Sequence, residues 1–188
     1  MSQSIQYAPG PATGAQIHED GDKWTLVLVR ELRHPPAPVW EALTDPSQLA
    51  EWAPFDADRN LATPGPVKMS MARTPKPTVF ETAVTRAEAP HFLEYSWGGS
   101  NLRWQLEPHG DGTRLTLWHS IEQRFIAWGA AGWHICIDVL DRLLDGNPIG
   151  RIAGGDAMQH GWKRLVDEYS RQFGIESPKW AEQAAEKS

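Results

Sequence analysis

Thiols are all but missing from this sequence. Cys136 is its one cysteine, which excludes an intrachain disulfide and any zinc site built on a Cys pair, so a reducing cytoplasm is the expected compartment. The seven histidines are scattered, and neither His-x-x-x-His nor His-Glu-x-x-His occurs, so no metal and no cofactor are expected. Basic charge is also in deficit. With 18 Lys and Arg against 24 Asp and Glu, the formal net charge is -6, and no Lys/Arg cluster interrupts it, so a phosphate backbone is not the expected partner. No apolar run reaches membrane-spanning length, and the first residues lack a basic segment followed by an apolar one; neither membrane insertion nor secretion is expected. No serine is flanked by glycines as in a nucleophile elbow, and residues 152–156 (IAGGD) read as a linker rather than a phosphate loop.

What the chain has in excess is tryptophan, ten residues of it, more than the core of one domain of this length needs. Residues 1–22, rich in Gly, Pro, Ser and Gln without a period, read as a disordered tail. A domain is expected over 23–174 and a polar C-terminal tail over 175–188, with Trp180 its candidate anchor. Residues 24–32 (WTLVLVREL) have the β-branched, apolar character of a strand. Next come two short helices joined at Thr44-Asp45-Pro46. Asp45 caps the second, Pro46 takes its first position, and Val39, Trp40, Leu43, Leu49 and Trp52 turn inward. Between Phe55 and Ile121, alternating runs split by turn residues predict an antiparallel meander. Its last three strands place Leu93, Tyr95 and Trp97, then Leu102, Trp104 and Leu106, then Leu115, Leu117 and His119 on the apolar face.

The text then changes to helical period. A third helix is predicted over 122–144, closed by Gly146, and a fourth over 156–173 with Met158, Trp162, Leu165, Val166, Tyr169 and Phe173 apolar. At 100° per residue, Trp133, Cys136, Ile137, Val139, Leu140, Leu143 and Leu144 share one arc of the third helix. His134, Asp138, Asp141, Arg142 and Asp145 share the other. A one-sided sheet of this length curls, and the long helix can lie across its concave face. The fold class is therefore α+β.

The stretches VRELRHPPAPVWEALTDPSQLAEWAP, EAPHFLEYSW, LEPHGDGTRLTLWHS and AAGWHICIDVLDRLLDG, with W-x-x-L-x-x-x-Y from Trp162 to Tyr169, resemble the activator of heat-shock protein 90 ATPase homologue-like family. That family belongs to the START-like, or SRPBCC (Bet v 1-like), superfamily. The resemblance runs from about residue 24 to 174. It implies a helix-grip fold: a curved antiparallel sheet of six or seven strands wrapped around a long C-terminal helix, with two short helices after the first strand. It also implies a cavity that in many relatives holds an apolar small molecule. Fold does not fix function, and the resemblance brings no catalytic motif.

The expected cavity wall is Trp52, Phe55, Tyr95, Trp97, Trp104, His119 and Trp133, with His119 as polar handle and a small apolar or aromatic molecule as partner. For the tryptophans the alternative is plain core filling; for His119 it is a buried histidine satisfied by backbone. His134, four residues before Asp138, is expected on the solvent side as a surface pair. Two other functions stay open: a co-chaperone-like protein interaction, and a polyketide cyclase-like enzyme for which His119 would be the acid or base. Trp118 and Trp128, if outside the core, could form the patch of a homodimer.

Overall fold

The computed structural model of the chain describes residues 6–76 and 78–176. Eight antiparallel strands form one curved sheet. They are β1 (Ala15–Asp20), β2 (Lys23–Leu32), β3 (Phe55–Ala57), β4 (Gly65–Met71), β5 (Val79–Glu88), β6 (Phe92–Trp97), β7 (Ser100–His109) and β8 (Gly112–Ser120), in the spatial order β1-β2-β8-β7-β6-β5-β4-β3. Between β2 and β3 lie α1 (Pro36–Thr44) and α2 (Pro46–Trp52). The Asp45 carboxylate accepts from Ser47 N at 2.8 Å and Gln48 N at 3.2 Å, so one side chain starts α2 and separates it from α1. After β8 a single 3-10 turn leads into α3 (Ile126–Leu144), and α4 (Trp162–Phe173) closes the fold. This is the helix-grip architecture, with α3 held against the apolar face of the sheet.

Register sets that face. Leu26 of β2 pairs with His119 of β8, His119 with Leu102 of β7, Leu102 with Tyr95 of β6, and Tyr95 with Val84 of β5. Because side chains alternate along a strand and align across a ladder, this whole row points the same way. Every member is buried; its two polar groups are the Tyr95 hydroxyl and the His119 imidazole.

Three expectations of the sequence are corrected. The segment read as a tail is, from Gln6 onward, part of the fold. Tyr7 and Ala12 are buried in the core, and β1 pairs with β2 from Ala15↔Leu28 to Asp20↔Lys23, giving eight strands instead of six or seven. Its Gly- and Pro-rich text hid this because its bonds go to distant partners: Ala12 N donates to Glu168 at 2.8 Å and Gln172 to Ala12 O at 2.7 Å. The fourth helix starts at Trp162, not 156. Gly161 has φ +80, which breaks helical geometry, so residues 154–160 form a 3-10 segment in which Met158 is exposed. At the other end, Ile175 packs against the core, while Trp180, proposed as an anchor, lies outside the described residues.

Candidate functional site

A cavity of about 570 Å³ lies between the ends of β6 and β8, α3, and residues 152–157. Three of the expected wall residues border it: Trp97, His119 and Trp133. Trp52, Phe55, Tyr95 and Trp104 do not. They are fully buried one layer behind, and their rings tie the wall to the core. Trp104 meets Trp133 edge to face at 5.4 Å and Trp52 at 6.0 Å, while Phe55 lies 5.9 Å from both Tyr95 and Trp97. Their polar atoms are satisfied internally, Trp52 Nε1 donating to Ala42 O at 2.8 Å and Trp104 Nε1 to the Tyr95 hydroxyl at 3.1 Å. These tryptophans fill core and hold the wall in place.

The other bordering aromatics are Trp128 and Phe125 at the start of α3 and Trp162 at the start of α4. Trp128, considered above as a surface residue, is half-buried against Phe125 and Trp162, at 5.2 and 5.9 Å between rings. Trp118 does face outward, with the Arg103 guanidinium over its ring at 4.5 Å. The remaining wall on the α3 side is small: Gly129, Gly132 and Cys136, spaced so that they follow one line down the helix. An added Cβ at Gly132 would meet nothing closer than Trp162 Nε1 at 4.0 Å, so glycine there keeps space open. The far wall is the stretch read as a linker. Ile152 and Ala153 are buried along the cavity. Arg151 fixes that stretch by binding Asp56 Oδ1 at 2.6 Å and the carbonyls of Leu49 and Phe55 at 3.1 and 3.2 Å. At Gly154, φ +55, a Cβ would stand 2.5 Å from Arg73 O, so only glycine permits this close approach.

No Asp, Glu, Lys or Arg borders the cavity among the described residues. His119 is 4% exposed, and burial pushes its pKa down to about 4, leaving it neutral at pH 7. Burial raises the Cys136 thiol to about 12, so it stays protonated. Trp133 Nε1 donates to His119 Nδ1 at 3.0 Å.

A second polar cluster lies away from the cavity, and it corrects the reading of His134. That residue is 3% exposed, not on the surface, because α4 and the N-terminal segment cover the polar arc of α3. Its Nδ1 is hydrogen-bonded to the Tyr169 hydroxyl at 2.7 Å, and its Nε2 stands 3.5 Å from Asp138. Burial lowers its pKa, with Asp138 acting against that. Asp138 also receives Tyr7 at 2.6 Å and pairs with Arg30. At the C-terminal end of α3, His34, Asp141 and Asp145 bring ligand-type atoms within 4.8 Å of one another, a grouping no sequence spacing indicated. Its His34 and Asp145 members are already hydrogen-bonded at 2.8 Å.

Sequence reasoning missed Trp128, Trp162, Phe125 and the 152–157 wall. A signal existed for the α3 side: the small residues at 129, 132 and 136 recur at helical spacing beside Trp133. For residues 152–157 there was none, since their placement depends on Arg73 and Asp56 far away in sequence.

Solved structures share this chain's fold at low identity. CalU16 from Micromonospora echinospora is 21% identical, with TM-score 0.58 over 89% of this chain and 96% of its own. A conserved protein of unknown function from Enterococcus faecalis is 14% identical, with TM-score 0.66 over 84% and 89%. An AHSA1-like protein from Aeromonas hydrophila is 21% identical, with TM-score 0.55 over 65% and 92%. No curated protein matches the sequence. The family model described as Activator of Hsp90 ATPase homolog 1-like protein matches residues 33–145, a span that takes in both short helices, β3 to β8 and α3. With that match added to the helix-grip architecture, the chain belongs to the Activator of Hsp90 ATPase homolog 1-like family.

Proposed function

We propose that the protein binds a small, largely apolar molecule in the cavity between its sheet and α3. The observation that carries this reading is the wall itself: tryptophans, glycines and aliphatic side chains around about 570 Å³, without a charged side chain among the described residues. That volume lies within the range of small-molecule sites, and an aromatic lining with few polar groups is their usual chemistry. The space persists although ten tryptophans are available to fill it, because Gly129 and Gly132 face it where bulkier residues would close it.

Binding is favoured over catalysis by the protonation states. His119, down to about 4, and Cys136, up to about 12, are the titratable groups at the cavity, and neither exchanges a proton readily near neutral pH. The test is native mass spectrometry of the purified protein set against the same sample denatured, with calorimetric titration of a naphthalene hydrocarbon alongside. A mass excess lost on denaturation, or saturable uptake of the hydrocarbon, supports the reading. Absence of both would overturn it.

A further inference from the structure

In the inward row that runs Leu26, His119, Leu102, Tyr95, Val84 across the sheet, the Tyr95 hydroxyl is met by Trp104, and His119 is the polar member that borders the cavity. An indole nitrogen can only donate, so the 3.0 Å bond from Trp133 Nε1 makes Nδ1 the acceptor of the ring. In a neutral imidazole the proton then sits on Nε2. The fold, through Trp133, has thus chosen the tautomer. Among the described residues Nε2 has no hydrogen-bond partner. Trp97, whose ring lies 5.9 Å from that of His119, has its buried Nε1 likewise unpartnered. Among the described residues, the same wall therefore holds two N–H groups without a protein partner, while no carboxylate or cation borders the space.

We infer that the cavity selects an uncharged molecule carrying a hydrogen-bond acceptor, such as a carbonyl or ether oxygen, which takes the Nε2–H of His119. This rests on the binding role proposed above and adds the chemical class of what is bound. A buried donor left without a partner costs free energy that an acceptor on the occupant recovers. A hydrocarbon of the same shape recovers none of it. A carboxylate could accept the same bond, but it would carry its charge into a wall with no cation to meet it, and desolvation outweighs one hydrogen bond. An ammonium meets neither an anion nor a free acceptor of matching strength at His119.

The experiment is calorimetric titration with three probes of similar size: 2-propionylnaphthalene, 2-propylnaphthalene and 2-naphthoate. The ketone should bind about tenfold tighter than the hydrocarbon, the return expected of one hydrogen bond, with the carboxylate weakest. In His119→Phe the ketone should fall to the level of the hydrocarbon, whose own affinity stays. His119→Gln, which retains an N–H donor, should keep part of the preference. Equal binding of ketone and hydrocarbon by the native protein, or tightest binding of the carboxylate, would overturn the inference while leaving the apolar cavity standing. Failure of all three probes to bind would overturn the inference, and with no mass excess in the native protein it would overturn the binding role as well.

Discussion

Trp133, on α3, donates its indole proton to Nδ1 of His119, on β8, across 3.0 Å of buried interior. The bond joins the helix to the sheet at the cavity wall and fixes which nitrogen of the imidazole bears the proton. Trp133→Phe keeps most of the ring area but removes the donor, leaving a buried acceptor unmet, at a cost of about 1–3 kcal/mol. Thermal unfolding should show this loss. Nitrogen chemical shifts of the His119 ring should change from a single Nε2–H tautomer to a mixture. An unchanged tautomer would show that some group other than Trp133 sets it.

Protonating His119 must break that same bond, since Nδ1–H would face another donor. Burial holds its pKa near 4 when folded, against about 6.5 ordinarily. Between those values the unfolded chain binds a proton that the folded protein refuses, so stability is complete above pH 6.5 and is lost as pH falls toward 4. His134 is shifted in the same direction. Replacing His119 by Gln, which can still accept from Trp133, removes one of these two contributions. From pH 6.5 to about pH 4.5 the native protein should lose on the order of 5 °C more in Tm than His119→Gln. Parallel pH profiles would mean that His119 titrates normally.

Core and wall separate by substitution. Trp52 and Trp104 are fully buried and satisfied within the protein, so Trp52→Ala or Trp104→Ala should cost about 3–5 kcal/mol whatever is bound. Trp162 is half-buried at the cavity. Its replacement by Ala should cost less stability and change uptake of 2-propylnaphthalene more. A chemical denaturation midpoint and a titration for each variant decide the assignment.

The strands and the faces they present were legible because period-two alternation survives in β6, β7 and β8, and because Asp45-Pro46 is a local capping signal. Of the expected wall, Trp97, His119 and Trp133 border the cavity; Tyr95 and Trp104, read from alternation on the apolar face, lie with Trp52 and Phe55 one layer behind it. Alternation reports which side of a sheet a residue occupies and says nothing of depth along it. His134 was misplaced for a related reason. Its polar arc is covered by Tyr169 and Thr13, whose approach depends on contacts more than thirty residues away. Nothing within a helix's own sequence reports a covering made by its partners.

The N-terminal segment is a strap over α3 and α4, and Asp138 is its knot. The carboxylate receives the Tyr7 hydroxyl at 2.6 Å and pairs with Arg30, both largely buried. Asp138→Ala leaves the Arg30 charge and the Tyr7 hydroxyl without their partner, and should cost about 3 kcal/mol. Tyr7→Phe, which removes one bond and no charge, should cost about 1 kcal/mol. In limited proteolysis Asp138→Ala should be cut within residues 6–14 before any other site, and equal resistance to the native protein would show that the strap is held elsewhere.

Gly132 offers the cleanest test of the cavity because it can be filled without disturbing the core. A Cβ there has room, with Trp162 Nε1 the nearest atom at 4.0 Å, and glycine in the middle of a helix is about 1 kcal/mol worse than alanine. Gly132→Ala should therefore leave the protein at least as stable and reduce ligand uptake only slightly. Gly132→Leu should place its side chain in the space an apolar molecule would occupy, so binding of 2-propylnaphthalene falls at least tenfold while the unfolding midpoint stays within a few degrees of the native value. Gly129 is the control. Its added Cβ would stand 2.9 Å from Ile121 Cδ1, so Gly129→Leu should lower stability by overpacking α3 against the end of β8. If Gly132→Leu binds the probe as well as the native protein does, the ligand does not sit between α3 and the sheet.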